Sequence, residues 1–325
     1  MITNTHYFDN LLKNISPNLV LVGSCCIDHD SYVSLSAKKL GIKLASIIYS
    51  WDNPTTKGLA ICKPNKVFSW NETMTQDIEN FFEIEKKDII ECGILHWSNY
   101  KKDLPRRTIK DKIVISFFSS APPVFDNSYE NLLEILKYEN KKNEIKILAR
   151  MHPSYFINSK YMRENIRIQK NIVEKYKNKI EFINPKITQM EGKNDYLMNL
   201  NEDLKDIKFI LTNSNIVVTQ YSTILLEALI LKKPLINFTT GKFRSTPYTK
   251  KNINSNLHHL KELLEFNLIK DVDNSSSLYA EFDKILNGGN NLENYEKFFC
   301  KNLTSTNKDN IRYIEQKITN YLNKN

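Results

Sequence analysis

The stretch "NIVVTQYSTILLEALILKKPLINF" (residues 215–238) joins two short apolar runs through a segment of helical character. The first run ends at Gln220, Ser222 or Thr223 is placed to cap a helix, and Pro234 opens the second run. A strand, a helix and a second strand in this order predict a βαβ unit, the repeating element of parallel sheets.

Similar apolar runs alternate with helical patterns along most of the chain. They are "NLVLVGS" (18–24), "IKLASIIYS" (42–50), "KVFSW" (66–70), "DIIECG" (88–93), "KIVISFF" (112–118), "IKILARM" (145–151) and "IEFIN" (180–184). Beyond residue 252 the pattern is helical to the end of the sequence. We therefore predict an α/β protein built on parallel sheets.

One segment interrupts this alternation. Residues 99–112, "NYKKDLPRRTIKDK", are charged, contain a proline and show no periodicity, which is typical of an interdomain linker. We expect an N-terminal Rossmann-like domain (residues 1–100), a linker (101–111), a C-terminal Rossmann-like domain (112–290) and C-terminal helices (291–325). Two such domains facing a cleft would hold a ligand between them.

The composition limits the classes of binding partner and the cellular location that we expect. Lys and Arg outnumber Asp and Glu by 46 to 37, but the net charge of +9 is spread along the chain, so we expect no nucleic-acid partner. The five cysteines include no CxxC pair, which favours reduced thiols over a zinc or redox site. Without a leader pattern or a long apolar segment, we expect a cytoplasmic protein, at most peripheral to a membrane.

The helix in the opening stretch predicts a phosphate site. In βαβ units ligands bind beyond the carboxyl ends of the strands, at the N-terminus of the helix, where Ser222 and Thr223 would add hydroxyl donors. This helix is apolar nearly all round except at Glu227, one turn further on. Glu227 would either bind the ribose hydroxyls of a nucleotide or pair with a basic side chain in the core. We favour the ribose, because polar groups isolated in apolar settings tend to mark sites.

Polar residues also end two other apolar runs. Arg150 lies near the end of the run at 145–151, and His152 follows it directly. In a parallel sheet this brings both residues to the same edge as that helix N-terminus. A histidine there can donate a hydrogen bond to a phosphate oxygen. Ser119 and Ser120 end the run at 112–118, and they suit a phosphate or sugar contact as well as they suit a simple serine-rich turn.

The predicted first domain contains candidate acid or base groups. Asp28 and Asp30 follow the run at 18–24, and Asp52 follows the run at 42–50 beside Trp51. Each of the three carboxylates is a candidate general acid or base. For Asp52, the turn chemistry of "DNP" explains the residue without a function.

The motifs "SWDNPTTKG", "PNKVFSWNETMTQDIENFF", "IIECG", "ARMHP" and "QYSTILLEALILKKPLINF", in this order, resemble the GT-B glycosyltransferase superfamily. The likeness covers roughly residues 18–238 and is nearest to bacterial surface-polysaccharide transferases with a His-Pro motif and a Ser-rich helix cap. CDP-glycerol glycerophosphotransferases and UDP-N-acetylglucosamine 2-epimerases share the architecture. The resemblance implies that His152, Ser222 and Thr223 bind nucleotide phosphates and that Glu227 binds ribose. Epimerase-like members carry a Gly-Gly pair where this chain has Ser222 and Thr223, which favours the transferase branch.

This resemblance implies a glycosyltransferase that moves a sugar from a nucleotide-sugar donor to a glycan or lipid-linked acceptor in surface polysaccharide synthesis. The alternatives are a nucleotide-sugar 2-epimerase and a non-catalytic nucleotide-sugar-binding relative. We expect no separate cofactor and no metal, because the "DHD" at residues 28–30 lies in the domain opposite the expected diphosphate. The N-terminal domain is shorter than that of typical GT-B proteins, so the acceptor half of the site is expected to be incomplete or built differently.

Overall fold

The structure, a computed structural model, describes residues 5–24, 28–58, 60–122, 127–157, 159–189, 196–240, 258–289, 292–307 and 309–323. The chain divides into two compact units. The first comprises Met1–Lys102, Leu257–Glu262 and Glu296–Asn325, and the second comprises Asp103–Asn256 and Leu263–Tyr295. The C-terminal helices (291–325), which we expected to lie apart from both domains, thus belong mainly to the first unit.

The strands form two parallel sheets and a hairpin. The first unit contains β1 (Leu19–Val22), β2 (Lys43–Ile47), β3 (Lys66–Ser69) and β4 (Ile89–Glu91), which pair in this order. The second unit contains β5 (Ile113–Phe118), β6 (Ile145–Arg150), β7 (Ile180–Phe182), the antiparallel hairpin β8 (Ile187–Gln189) and β9 (Tyr196–Met198), β10 (Ile216–Thr219), β11 (Leu235–Phe238) and β12 (Ile269–Val272).

Helices connect these strands. They are α1 (His6–Ile15), α2 (Asp28–Lys39), α3 (Asn53–Thr56), α4 (Glu72–Phe82), α5 (Ser128–Lys137), α6 (Ser154–Ile157), α7 (Ser159–Tyr176), α8 (Leu200–Asn213), α9 (Ile224–Ile230), α10 (His258–Glu265), α11 (Ser275–Leu286), α12 (Leu292–Asn302) and α13 (Asn310–Leu322). Side-chain caps fix several of their starts: the Asn71 carboxamide, for example, accepts a hydrogen bond from the Met74 N–H at 2.9 Å.

The second sheet has the strand order β12-β11-β10-β5-β6-β7. Every residue of β5, β10 and β11 is buried, because helices cover both faces of a parallel sheet. The side chains of Ile115, Phe117, Ile147, Val218 and Ile236 lie in one core cluster on this sheet. This double burial explains why the strands read as continuous apolar runs in the sequence rather than as alternating ones.

The expectation of helix throughout the region beyond residue 252 is wrong for one segment. Residues 269–272, "IKDV", form β12 and pair in parallel with β11. In this four-residue edge strand Ile269 and Val272 are buried, while Lys270 and Asp271 are partly exposed. A run of four residues, two of them charged, is too short to show the alternation of a strand, and it lies between segments with a helical pattern.

Gly93 lets the C-terminal segment of the first unit approach the end of β4. Its φ is +81°, and a Cβ added there would lie 2.5 Å from Ser305 Cβ and 2.8 Å from Asn310 Nδ2. The Asn310 side chain in turn donates to the Ile94 carbonyl at 3.2 Å. Because real Cβ atoms do not approach this closely, the contact requires glycine.

We predict that Gly93→Ala destabilises the protein far more than Gly41→Ala. Gly41 also has a positive φ, +69°, but nothing lies within 4 Å of its would-be Cβ, so alanine there costs about 1 kcal/mol of backbone strain. Gly93→Ala adds overpacking, for a total of about 2–4 kcal/mol. Denaturant unfolding of both variants measures the difference, and equal losses would contradict the close packing of the 305–310 segment on Gly93.

Candidate functional site

The carboxyl ends of three central strands lie level with one another in the second unit. Phe118, the last residue of β5, is in register with Arg150 of β6 and with Thr219 of β10. The chain runs outward from β5 through β6 and β7, then crosses back to β10 and continues through β11 and β12. The boundary between β5 and β10 is therefore a topological switch point, the place where open α/β sheets bind ligands.

Ser119 and His152 meet at this edge, as their positions after β5 and β6 predict. The backbone N–H of His152 donates to Ser119 Oγ at 2.8 Å, and Ser119 N–H donates to the Arg150 carbonyl at 3.1 Å. Ser154 N–H donates to His152 Nδ1 at 3.2 Å. A ring whose Nδ1 accepts a hydrogen bond carries its proton on Nε2 when it is neutral.

Burial lowers the pKa of His152 to about 4, because the half-buried ring is desolvated. The imidazole is therefore neutral at physiological pH and presents an Nε2–H donor. A neutral donor can bind a phosphate oxygen without the cost of burying a cation, and bound anionic charge would raise the pKa of the ring.

Gln220 bridges the loops that follow β5 and β10, and sequence reasoning did not single it out. Its Oε1 accepts from the Ser128 hydroxyl at 2.7 Å and from Ser120 N–H at 3.4 Å, and its Nε2 donates to Asn127 Oδ1 at 3.2 Å. The side chain is fully buried. Ser120 therefore serves as a backbone partner of this network, which fixes the edge beside Ser119.

Tyr221 follows with a left-handed backbone, at φ +43°. Its N–H donates to Asn237 Oδ1 at 2.8 Å, and Asn237 Nδ2 donates to Asp271 Oδ1 at 2.7 Å, which ties the turn to β11 and β12. Burial, and next the Asp271 carboxylate, raise the pKa of the Tyr221 hydroxyl. A non-glycine residue in this conformation persists where its surroundings hold it, and such residues cluster at functional sites.

Ser222 and Thr223 come next, immediately before α9, which begins at Ile224. The expectation that one of their hydroxyls caps the helix is not met: Thr223 makes no side-chain cap bond, and Ser222 Oγ lies 3.5 Å from Ile224 N, at the limit of a hydrogen bond. Ser222 is half-buried and Thr223 is exposed. The Thr223 hydroxyl therefore makes no bond to the start of α9, the Ser222 hydroxyl accepts only a long one, and the phosphate role of both residues stays a prediction.

Glu227 is buried, at 6% exposure, on α9. On the neighbouring helix α8, burial lowers the pKa of Lys208, and the negative charges of Asp103 and Glu227 oppose that lowering. The core-pairing alternative for Glu227 thus has a basic partner, and the ribose role stays a prediction.

Arg150, a predicted phosphate contact, has two protein partners at the end of β6. Its guanidinium, 5% exposed, donates to the Ile183 carbonyl at 2.9 Å and forms an ion pair with Asp203 of α8. Burial raises the pKa of Asp203, and the Arg150 charge opposes that rise. Because the guanidinium is buried and the Asp203 carboxylate is half-buried, we assign Arg150 a structural role that ties β6 to α8 and to the end of β7.

The first-unit carboxylates lie at two helix starts, Asp28 and Asp30 in the first turn of α2 and Asp52 directly before α3. Asp30 accepts a hydrogen bond from Ser24 N–H at 2.8 Å, which links α2 to the end of β1. Asp28 is the first residue of α2, and its side chain lies outside the described part of the structure. The structure therefore gives Asp30 a local structural partner.

Asp52 sits after β2 in a polar cluster that includes His259, which the sequence did not suggest. Burial raises the pKa of Asp52, but hydrogen bonds from Ser50 at 2.5 Å and Thr56 at 2.8 Å, with the charges of Lys57 and His259, outweigh burial and lower it overall. The carboxylate is therefore ionised at neutral pH. The His259 ring contacts Trp51 edge-on, with centroids 4.7 Å apart.

Two further searches cover the described residues. Among them, no group of three or more His, Cys, Asp or Glu side chains is arranged to hold a metal ion. Nor does the described part of the chain contain a helix both long enough and apolar enough to cross a membrane.

Solved structures share this architecture. A putative UDP-N-acetylglucosamine 2-epimerase from Listeria monocytogenes is 14% identical with a TM-score of 0.57, and the match covers 99% of this chain and 79% of that one. MnaA from S. aureus, in a co-structure with UDP, is 14% identical at 0.58, covering 98% and 80%. A glycosyltransferase from Rickettsia africae is 14% identical at 0.51, covering 99% and 81%.

The chain has a GT-B-type fold. This confirms the fold class predicted from the sequence motifs. At 14% identity the three matches establish the fold and no activity. No protein-family model matches the chain, and no curated protein sequence matches it.

We predict that the His152 ring does not titrate between pH 8 and pH 5.5 in the folded protein. Its Cε1–H signal, followed by NMR, should shift only near pH 4, whereas in the chemically unfolded chain it should titrate near the ordinary histidine value of about 6.5. A midpoint above 6 in the folded protein would contradict the neutral-donor assignment.

The same shift fixes the sign of a pH effect on stability. Below pH 6.5 the unfolded chain takes up a proton that the folded chain does not, so stability is lost as the pH falls towards 4. Between pH 7 and pH 5 this amounts to about 2 kcal/mol for His152. His152→Gln should remove the contribution of His152 to this pH dependence of stability. His96, whose pKa burial also lowers to about 4, should still contribute to it.

Proposed function

We propose that this protein is a GT-B-type glycosyltransferase that transfers a sugar from a nucleotide-sugar donor to a glycan or lipid-linked acceptor in surface polysaccharide synthesis, without a metal. The observation that carries the proposal is the polar edge at the β5–β10 switch point. There Ser119, His152 and the Tyr221 turn come together on strands whose ends are level. Open α/β sheets bind nucleotides at such an edge.

The chemistry of this edge suits a diphosphate. The Nε2–H of His152 and the hydroxyls of Ser222 and Thr223 are neutral donors. They would bind the donor's diphosphate and stabilise the charge that develops on it as the nucleotide departs. Glu227, on the helix that follows, is proposed to bind the ribose hydroxyls.

The comparisons support the class of ligand. One similar structure was solved with UDP, one carries the description of a UDP-N-acetylglucosamine 2-epimerase, and one that of a glycosyltransferase. The Ser222–Thr223 pair, which stands where epimerase-like members have two glycines, favours transfer over epimerisation.

We predict that one of the nucleoside phosphates CMP, CDP, UDP and GDP binds and raises the melting temperature, and that His152→Ala and Ser222→Ala weaken its binding. Loss of one hydrogen bond to a charged group costs about 1.5–3 kcal/mol, which is roughly 10- to 100-fold in Kd. Isothermal titration measures each Kd.

The matched control is Ser276→Ala, which removes an exposed hydroxyl from α11 of the same unit. Its Kd should equal that of the parent protein. If His152→Ala and Ser222→Ala bind the stabilising nucleotide as tightly as Ser276→Ala does, the proposed phosphate site is wrong.

We propose a first-unit carboxylate as the base for the acceptor hydroxyl, with Asp28, Asp30 and Asp52 as the candidates. The ionised Asp52 beside His259 is the one whose surroundings suit proton transfer. Its lowered pKa makes it a weak base, so a partial contribution is expected.

Asp52→Asn should lower kcat by about 10²-fold, the low end of what a general base contributes, because the lowered pKa makes Asp52 a weak base, and it should leave the Kd of the nucleotide unchanged. Asp28→Asn and Asp30→Asn, measured in parallel, show whether another carboxylate has the role. Turnover should persist with a chelator present. Formation of an epimer from UDP-N-acetylglucosamine with no acceptor would instead support the 2-epimerase alternative, and nucleotide binding without turnover would support a non-catalytic relative.

A further inference from the structure

The exposed apolar side chains of the second unit gather at one helix. Among the described residues of that unit, the large hydrophobic side chains that are more than a third exposed are Ile157, Met162, Ile166 and Val173, at 37%, 40%, 37% and 41%. Ile157 ends α6, and the other three belong to α7. Apolar residues scattered singly over a surface need no explanation, but these four all fall between residues 157 and 173.

The three α7 residues form a single strip. Ile166 follows Met162 by four positions and Val173 follows Ile166 by seven, and both spacings return to the same side of a helix. The helix packs on the core of the sheet through Ile168 and Ile172. The strip therefore lies beside the buried side of α7 and faces no other part of the described core.

A groove of about 570 Å³ lies between α7 and β7, the edge strand of the second sheet. Ile166 and Val173 line it on the side of the helix, and Ile180 and Phe182 line it on the side of the strand. Apolar side chains thus line both walls of the groove.

A row of basic side chains runs along α7 beside the strip. Arg163 and Arg167 follow Met162 and Ile166 by one residue, and Lys170 continues their row, about 100° further around the helix than the strip. All three basic side chains are exposed, and none of them forms an ion pair within the part of the chain that the structure describes.

The acidic residues nearby leave this positive charge in excess. Residues 162–179 contain six Lys or Arg against two Glu, Glu164 and Glu174, a net charge of +4. Glu181, which also lines the groove, pairs with Lys146 at 3.3 Å. The negative end of the α7 dipole amounts to about half a charge and acts on the last turn of the helix, whereas the basic row begins in the first half.

An apolar strip beside a basic row fits an anionic membrane surface. Helices that lie at a membrane interface bury an apolar side at the boundary between headgroups and acyl chains and carry Lys and Arg on the polar side. The long basic side chains reach anionic headgroups while their aliphatic stems cover apolar surface. A lipid surface also requires no matching of individual polar groups, which suits charges that have no fixed protein partner.

We propose that the α7 strip, the groove beside β7 and the basic row together dock the second unit on an anionic membrane. The strip enters the acyl boundary, and Arg163, Arg167 and Lys170 contact the headgroups. The argument does not rest on the proposed sugar transfer. If that transfer also holds, docking keeps the nucleotide edge, which belongs to the same unit, at the membrane where a lipid-linked acceptor would reside.

The test is co-sedimentation of the full chain with vesicles of equal parts phosphatidylglycerol and phosphatidylcholine, or of phosphatidylcholine alone. Binding to the anionic vesicles should be stronger by roughly tenfold or more, because each basic residue near an anionic surface strengthens binding about fivefold. Arg163→Gln with Arg167→Gln should raise the lipid concentration for half-maximal binding by roughly tenfold or more. The matched control is Lys270→Gln with Lys284→Gln, which removes two charges at β12 and α11, on the opposite edge of the same sheet.

A second pair of variants tests the strip. Ile166→Ser with Val173→Ser should weaken binding to the anionic vesicles roughly tenfold, because apolar area no longer enters the membrane. The matched control is Ile311→Ser with Tyr313→Ser on α13 of the first unit, where both side chains are exposed. Since all the substituted side chains are at least partly exposed, the melting temperatures should stay close to that of the parent protein.

A third readout uses the unmodified protein. Hydrogen peroxide should oxidise the exposed Met162, and anionic vesicles should slow this oxidation, followed by mass spectrometry, at least threefold, while phosphatidylcholine vesicles should not. The proposal is overturned if the protein does not sediment with anionic vesicles, if either test pair binds as tightly as its control, or if Met162 gains no protection. Binding of polyglutamate without binding of vesicles would assign the surface to an acidic protein and would also overturn it.

Discussion

The parallel register of β5, β6 and β10 is the constraint on which the candidate site depends. Phe118 is level with Arg150 and with Thr219, so the residues that follow these three strands emerge side by side. Ser119 is thereby brought within hydrogen-bond distance of the His152 backbone, and Ser120 within reach of Gln220. A one-residue slip of either neighbour would reverse the faces of its whole side-chain set and break the close packing of those side chains on both faces of the sheet.

Much of this edge was predictable because its signals are local. Long apolar runs marked the strands, and a polar residue directly after each run marked the edge. Asn237 carried a similar signal, a lone carboxamide inside the run "PLINF". Its role was missed because its partners, Tyr221 N–H and Asp271, lie 16 and 34 residues away.

Other features have no local signal. The buried Gln220 carboxamide depends on Ser128, 92 residues away, and the Arg150 guanidinium pairs with Asp203, 53 residues further on. Neither partner stands out in sequence, because a serine and an aspartate in the first turn are ordinary at helix starts. Spacing placed Arg150 beside His152 at the same strand end, but it could not reveal the ion pair that engages the guanidinium.

The two edges of the second sheet differ in the charge of their polar side chains. At the carboxyl edge, the neutral His152 ring and the hydroxyls of Ser222 and Thr223 offer hydrogen-bond donors without charge, which suits the proposed diphosphate contact. At the amino edge, Lys232 and Lys233 follow the C-terminus of α9, where cations suit the negative end of the helix dipole. The α9 helix spans both, from Thr223 at one end to Lys232 at the other. The two ends of this short helix therefore present opposite ends of its dipole to the two edges of the sheet, the positive end beside the proposed nucleotide contact and the negative end beside Lys232 and Lys233.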